Sequence, residues 1–152
     1  MTYFIRLAAV IGLAIALFVT PDASFADGYG KQKVVYHINY VGGENDKAYR
    51  GAMRNIQNHI NAVGVENMDI KVVLHGNGVS MLKSAKSDDT LQTVIGGLKS
   101  QNVKFNVCNN TLVGRKIDYS NDLYDVWEDD IVPSGVAELS KLQQEGYTYI
   151  KP

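Results

Sequence analysis

Cysteine is nearly missing: Cys108 is the only one in the chain. No disulfide can form within one chain, and dithiol redox chemistry on a single chain is excluded. Excess charge of one sign is missing too. The formal net charge is −1, which gives no support for nucleic-acid binding or for a strongly charged membrane surface. After Leu7–Val19 there is no second apolar run able to span a bilayer, which takes about twenty residues. The three histidines, His37, His59 and His75, do not fall at His-x-x-x-His spacing, so no helical metal motif is present. Walker loop, nucleophile elbow and Cys-x-x-Cys are all absent. Gly76-Asn77-Gly78 begins like a dinucleotide fingerprint, but Met81 stands where its third glycine belongs. The carboxylates between Asp118 and Asp130 lack the glycine and closing glutamate of a calcium loop, and read as a solvated face or a docking surface for a basic partner. Repeats, low-complexity stretches and linkers are also missing, which leaves one domain after a short leader.

The leader is Met1–Ala26. Arg6 precedes the apolar run Leu7–Val19, and Ser24-Phe25-Ala26 offers small residues for cleavage before Asp27. This pattern predicts a secretory signal peptide, residues 1–26, and an exported domain, residues 27–152. The expected location is periplasmic or secreted, with no membrane association after cleavage; an uncleaved anchor is the alternative. In an oxidising compartment a lone cysteine pairs between chains, hides or reacts.

Strand and helix patterns alternate along the rest. Lys33–Asn39 reads as a strand, followed by a Gly42-Gly43 loop and a helix from an Asn45 or Asp46 cap to Val63. Tyr49, Ala52, Met53, Ile56, Ile60 and Val63 make its apolar face, and Gly64 ends it. Asp69–Leu74 is the second strand, closed by His75-Gly76-Asn77-Gly78. Val79–Ala85 is a helical turn, and Ser87 caps a helix over Asp88–Ser100. Val103, Phe105 and Val107 alternate with polar residues in a third strand ending at Cys108. Asn109, Asn110 and Thr111 are helix-cap residue types, and Leu112–Lys116 continues as a short helix. A short helix is expected around Ser120–Val126, a very short strand at Ile131-Val132, a helix at Gly135–Glu145 and a last strand at Tyr147–Ile150.

This order predicts an α/β fold with a mostly parallel sheet covered by helices on both faces. In such sheets ligands sit outside the carboxyl ends of the strands. Asn39–Gly43, His75–Gly78 and Cys108–Thr111 all map to that edge. The Cys108 thiol would lie at a strand end and a helix start, where the helix dipole favours thiolate, and Arg115 or Lys116 could add charge. His75 is the candidate to orient or deprotonate a group near the thiol, with a loop histidine bonded to backbone as the alternative. His37 reads as a core or inter-chain contact and His59 as exposed.

The segment Val103–Asp118, with Phe105-Asn106-Val107-Cys108 followed by Gly114-Arg115-Lys116-Ile117-Asp118, resembles the active-site segment of the DsrE/DsrF-like sulfur-relay family. Val72–Val79, Val132–Leu139 and Leu142–Pro152 resemble that family's second strand and glycine turn and its closing helix and strand. The resemblance implies a flavodoxin-like three-layer sandwich with five mostly parallel strands, a trimeric or hexameric assembly, and persulfide sulfur carried on Cys108. The leader departs from the cytoplasmic relatives and makes a tRNA role improbable. The expected function is an exported sulfur carrier or sulfurtransferase-like protein, with Cys108 and His75 as catalytic candidates. Asn39, Gly76, Asn77, Gly78, Asn109, Asn110 and Thr111 are the binding candidates. Sulfur donor and acceptor proteins or small thiols would be its partners; no cofactor, metal or nucleic acid is expected. The alternative is a non-enzymatic oligomeric domain that binds a small ligand or a protein segment, with Cys108 simply buried. Peroxide reduction is a third possibility and would need an external reductant.

Overall fold

Five strands line up in the order β4-β3-β2-β1-β5, all parallel. They are β1 (Gln32–Ile38), β2 (Met68–Leu74), β3 (Lys104–Cys108), β4 (Ile131–Val132) and β5 (Thr148–Ile150). The helices are α1 (Lys47–Val63), α2 (Ser80–Ser84), α3 (Asp89–Ser100), α4 (Asn109–Arg115), α5 (Tyr119–Asp122) and α6 (Gly135–Gln144). This computed structural model describes residues 28–152. The signal-peptide expectation for Met1–Ala26 lies outside the described residues.

Residue alternation along the strands divides the sheet's two faces. Val34, Tyr36 and Ile38 of β1, with Val72, Leu74, Phe105 and Val107, pack under α1, α2, α3 and α4 in the larger core. The apolar stripe read from the sequence is the buried face of α1: Tyr49, Ala52, Met53, Ile56, Ile60 and Val63 are all buried. The opposite face carries a smaller core of Val35, Val73, Leu139, Leu142 and Tyr147, covered by α6. Helices therefore flank both faces of a parallel sheet, the three-layer arrangement expected. The second face is polar toward the strand starts, where Lys33, Asp69 and Lys104 are exposed. Tyr147 joins this face to the strands by donating its hydroxyl to Asp69 Oδ2 at 2.6 Å.

Helix starts differ from expectation in two places. Asp88, not Ser87, caps α3, because its Oδ1 accepts the N–H groups of Thr90 and Leu91, both at 3.0 Å. A carboxylate one residue nearer the helix reaches both orphan donors. The same Asp88 pairs with Arg50 of α1. Before α1, Asn45 and Asp46 take left-handed backbone with no capping bond from Asp46. Asn and Asp tolerate that conformation better than other side-chain-bearing residues. The short helix around residue 120 is α5, capped by Asp118 through Ser120 and Asn121. Leu123 and Val126 then plug the larger core. The acidic stretch is partly neutralised by Lys99, which lies 3.0 Å from Asp125 and 3.7 Å from Asp130.

Candidate functional site

β3 and β4 are neighbours, yet the chain leaves them toward opposite faces. From Cys108 it enters α4, whose Leu112 packs in the larger core. From Val132 it enters α6, on the other side. Adjacent parallel strands with diverging exits open a crevice at their carboxyl ends, the usual ligand position in this class of sheet. Cys108 stands at that point, in register with Val132. The two exits are tied by a hydrogen bond from Asn110 N–H to the Pro133 carbonyl at 3.3 Å.

Cys108 itself is the N-cap residue of α4, with extended backbone and no capping bond of ordinary geometry from its side chain. Asn109, Asn110 and Thr111 are therefore not caps; they form the first turn, which turns its N–H groups back toward the sulfur. The Cys108 residue is 5% exposed. That burial pushes the thiol pKa up, but it is outweighed by the Gly135 N–H, the Thr111 hydroxyl and the N–H groups of Thr111 and Asn110, and the net result is a thiol below its ordinary value. Donors from the starts of α4 and α6 thus favour the anion together. Among the described residues, the groups that lower the thiol's pKa are neutral donors. Arg115 reaches instead to Asn77 Oδ1 at 2.8 Å, and Lys116, in left-handed backbone at the end of α4, is exposed. The expected help from Arg115 or Lys116 is absent because α4 carries both away from its own N-terminus.

The glycine turn meets this centre through Thr111. Gly76 N–H donates to Thr111 Oγ1 at 2.9 Å, which ties the turn to a residue whose hydroxyl helps lower the thiol's pKa. Gly78 is buried against β1, and a Cβ there would lie 1.9 Å from the Ile38 carbonyl oxygen; only glycine lets the turn pass so close. Asn77 is held by Arg115, and its carbonyl accepts the Tyr49 hydroxyl at 2.7 Å. Of the binding candidates, Gly76, Asn110 and Thr111 come together at or beside the thiol. Asn77 and Asn109 lie on the exposed rim.

His75 has a different partner from the one expected. Its Nε2 lies 2.7 Å from His37 Nε2, and the two rings meet edge to edge, inclined by 24° with centroids 4.7 Å apart. His37 Nδ1 in turn bonds the Tyr149 hydroxyl at 2.7 Å. His75 remains a neighbour of the thiol at the level of Cβ. A methyl placed on Gly135 would lie 2.9 Å from His75 Cβ and 3.3 Å from Cys108 Cβ. Its ring, however, is committed to His37. Burial, then the neighbouring His75 and Lys151, lower the His37 pKa to about 4. Burial and Lys151 lower His75 as well. Both histidines, with Asn39, Ser140, Gln143 and Tyr149, line a cavity of about 720 Å³ under α6. Cys108 is not part of its wall. His59 is half-buried rather than exposed: its Nδ1 meets the Tyr36 hydroxyl at 2.7 Å and its Nε2 meets Gln32 Oε1 at 2.8 Å.

Reading residue by residue missed Gly135 and the partnership of His37 with His75. The second was within reach. Both histidines lie at the carboxyl ends of strands that a parallel sheet sets side by side, and they share one face.

The model of the DsrE/DsrF-like family matches residues 33–152. The chain belongs to that family. The matched span takes in Cys108 and every candidate residue named above, and membership in the DsrE/DsrF-like family points to a sulfur-relay-like role. Among solved structures, a protein of unknown function, MTH1491 from Methanobacterium thermoautotrophicum, is similar at 29% identity and a TM-score of 0.64, covering 80% of this chain and 100% of that one. No curated protein matches this DsrE-family chain.

Proposed function

We propose that this DsrE-family protein is an exported sulfur carrier that holds sulfane sulfur as a persulfide on Cys108. The Cys108 thiolate attacks a sulfur of a polysulfide or persulfide donor. A new S–S bond forms at Cys108 as the donor's S–S bond breaks, and the donor leaves as a thiolate or shorter polysulfide anion. An acceptor thiolate then attacks the outer sulfur, and Cys108 leaves as thiolate. The sulfur changes carrier, and neither half requires an outside oxidant or reductant.

The observation that carries this reading is the convergence of donors from the starts of α4 and α6 on the lone cysteine. The same N–H and hydroxyl groups that favour a thiolate suit a persulfide anion. The proposed assembly is a homo-oligomer, trimer or hexamer. Its support is membership in the DsrE/DsrF-like family. Sulfur donor and acceptor proteins or small thiols are the proposed partners, and the periplasm or the outside of the cell is the proposed location.

One observation favours the rival reading of a non-enzymatic binding domain: Cys108 is 5% exposed. Intact-mass analysis separates the two. The protein is incubated with polysulfide and then with a reductant, alongside Cys108→Ser. Reducible addition of sulfur to the wild type and none to the variant is the expected result. A wild-type chain that takes up no sulfur and resists alkylation until denatured would refute the carrier reading and leave the binding domain.

A further inference from the structure

His37 is the one buried polar or charged residue in the described core, and the sulfur chemistry above makes no use of it. It is separated from His75 by 38 positions, yet β1 and β2 run in register from Gln32 with Met68 to Ile38 with Leu74. That register brings the two imidazoles onto the same edge and the same face, with their Nε2 atoms aimed at each other over the cavity under α6.

We propose that His37 and His75 form a binding site for a divalent transition-metal ion of the zinc class, held by the two Nε2 atoms and completed by water and by neutral oxygens of the cavity wall. At metal–nitrogen distances of about 2.0–2.1 Å, a tetrahedral ion needs its two nitrogens about 3.3 Å apart. The observed separation is 2.7 Å, so a small rotation of either ring opens the seat. The outer shell is already in place. With its proton on Nδ1, His37 donates to the Tyr149 hydroxyl oxygen and presents the Nε2 lone pair to the ion; a second bond of this kind fixes tautomer and ring orientation in metal-binding histidines. The metal takes the position of the proton now shared between the rings, and that proton moves to the far nitrogen of its own imidazole. Both rings stay neutral, so no net proton need be released.

The rest of the wall sets the character of the site. Asn39, Ser140 and Gln143 supply amide and hydroxyl oxygens. Among the described residues no group of three or more His, Cys, Asp or Glu side chains converges, so the ion keeps exchangeable positions. Lys151 is the cation felt by both histidines, and its charge opposes the ion. Two imidazoles against one lysine make a site of moderate affinity, suited to an exchangeable ion rather than a permanently held one. The inference stands apart from the role of Cys108.

The test is equilibrium dialysis of the EDTA-stripped protein, carrying no affinity tag, against Zn²⁺ alone, with Co²⁺ absorption as the spectroscopic probe. The expected result is a single ion per chain, with His37→Gln and His75→Gln each weakening binding tenfold or more. His59→Gln and Cys108→Ser should bind as the wild type does. If His37→Gln fails to fold, His75→Gln at the strand's exit carries the comparison. If neither folds, the imidazole ¹⁵N shifts of the wild type during a Zn²⁺ titration decide: movement of both Nε2 resonances supports the site, and no movement overturns it. No uptake at about 100 μM free Zn²⁺, weaker than a useful site would be, also overturns it. So does uptake that survives His75→Gln or is lost equally in His59→Gln.

Discussion

Gly135→Ala adds a single methyl group at the point where α6 crosses the ends of β2 and β3. That methyl would lie 2.9 Å from His75 Cβ, 3.2 Å from His75 Cδ2 and 3.3 Å from Cys108 Cβ. None of these atoms belongs to the free end of a flexible chain, so the first turn of α6 must back away. Overpacking of this kind costs about 1–3 kcal/mol. The better helix propensity of alanine returns at most about 1 kcal/mol. The net expectation is a loss of about 1–2 kcal/mol, read as a urea midpoint lower by roughly 1 M at the slope of a small domain. The retreat also withdraws the Gly135 N–H from the sulfur. The pH profile of Cys108 alkylation should therefore move toward higher pH. Gly51→Ala is the control with identical chemistry: it sits within α1, and a methyl there meets nothing within 4 Å. It should gain about 0.5–1 kcal/mol and leave the alkylation profile alone. A Gly135→Ala protein with unchanged midpoint and unchanged profile would refute both the close approach and the part α6 plays at the thiol.

Thr111→Val removes the acceptor of the Gly76 N–H and one donor to the sulfur; a stability loss of about 1–3 kcal/mol and a higher alkylation pH are expected in denaturation and thiol titration, with Thr111→Ser restoring both. The Tyr36–His59 pair should limit stability at both ends of the pH scale. Burial holds His59 below its ordinary 6.5, so the unfolded chain binds a proton that the folded chain refuses, and stability should fall as pH drops below about 6.5. Burial raises Tyr36 from 10 to about 12, so the unfolded chain loses its proton first, and stability should fall again above about pH 10. Urea midpoints measured across pH check both limbs: His59→Gln should make the acid limb shallower, leaving the part that His37 and His75 contribute, and Tyr36→Phe should reduce the alkaline one.

The elements were legible in the sequence wherever one face had to be buried. The stripe from Tyr49 to Val63 repeats at helical spacing, and Val103, Phe105 and Val107 alternate toward a core, so burial leaves its period in the residue order. The carboxyl edge was legible for a related reason, since alternating strands and helices force parallel strands to end together. What stayed hidden were relations between elements. Gly135 looks like any residue opening a helix after Pro133-Ser134; its value lies in what it touches, two other strands away. His37 looked like a core residue of β1 because its partner is 38 positions distant, and a search for metal spacing within one helix cannot see a pair made by neighbouring strands. The capping role of Cys108 was hidden by three better cap residues immediately after it. Propensity favoured Asn109, Asn110 and Thr111, while the pairing of β3 with β4 runs on through Cys108 and fixes where the helix begins.

The two cores are unequal, and this bears on how a buried sulfur meets anything at all. The layer under α6 consists of Val35, Val73, Leu139, Leu142 and Tyr147, far fewer side chains than anchor the opposite layer. Regions with few buried apolar contacts open locally at a lower free energy than the whole molecule. The last helix and the strand after it therefore form the natural door, and the start of α6 is one wall of the thiol's crevice. On the carrier reading, lifting of this unit would widen the path of a donor to Cys108. Amide hydrogen exchange along α6 should run faster than along β2.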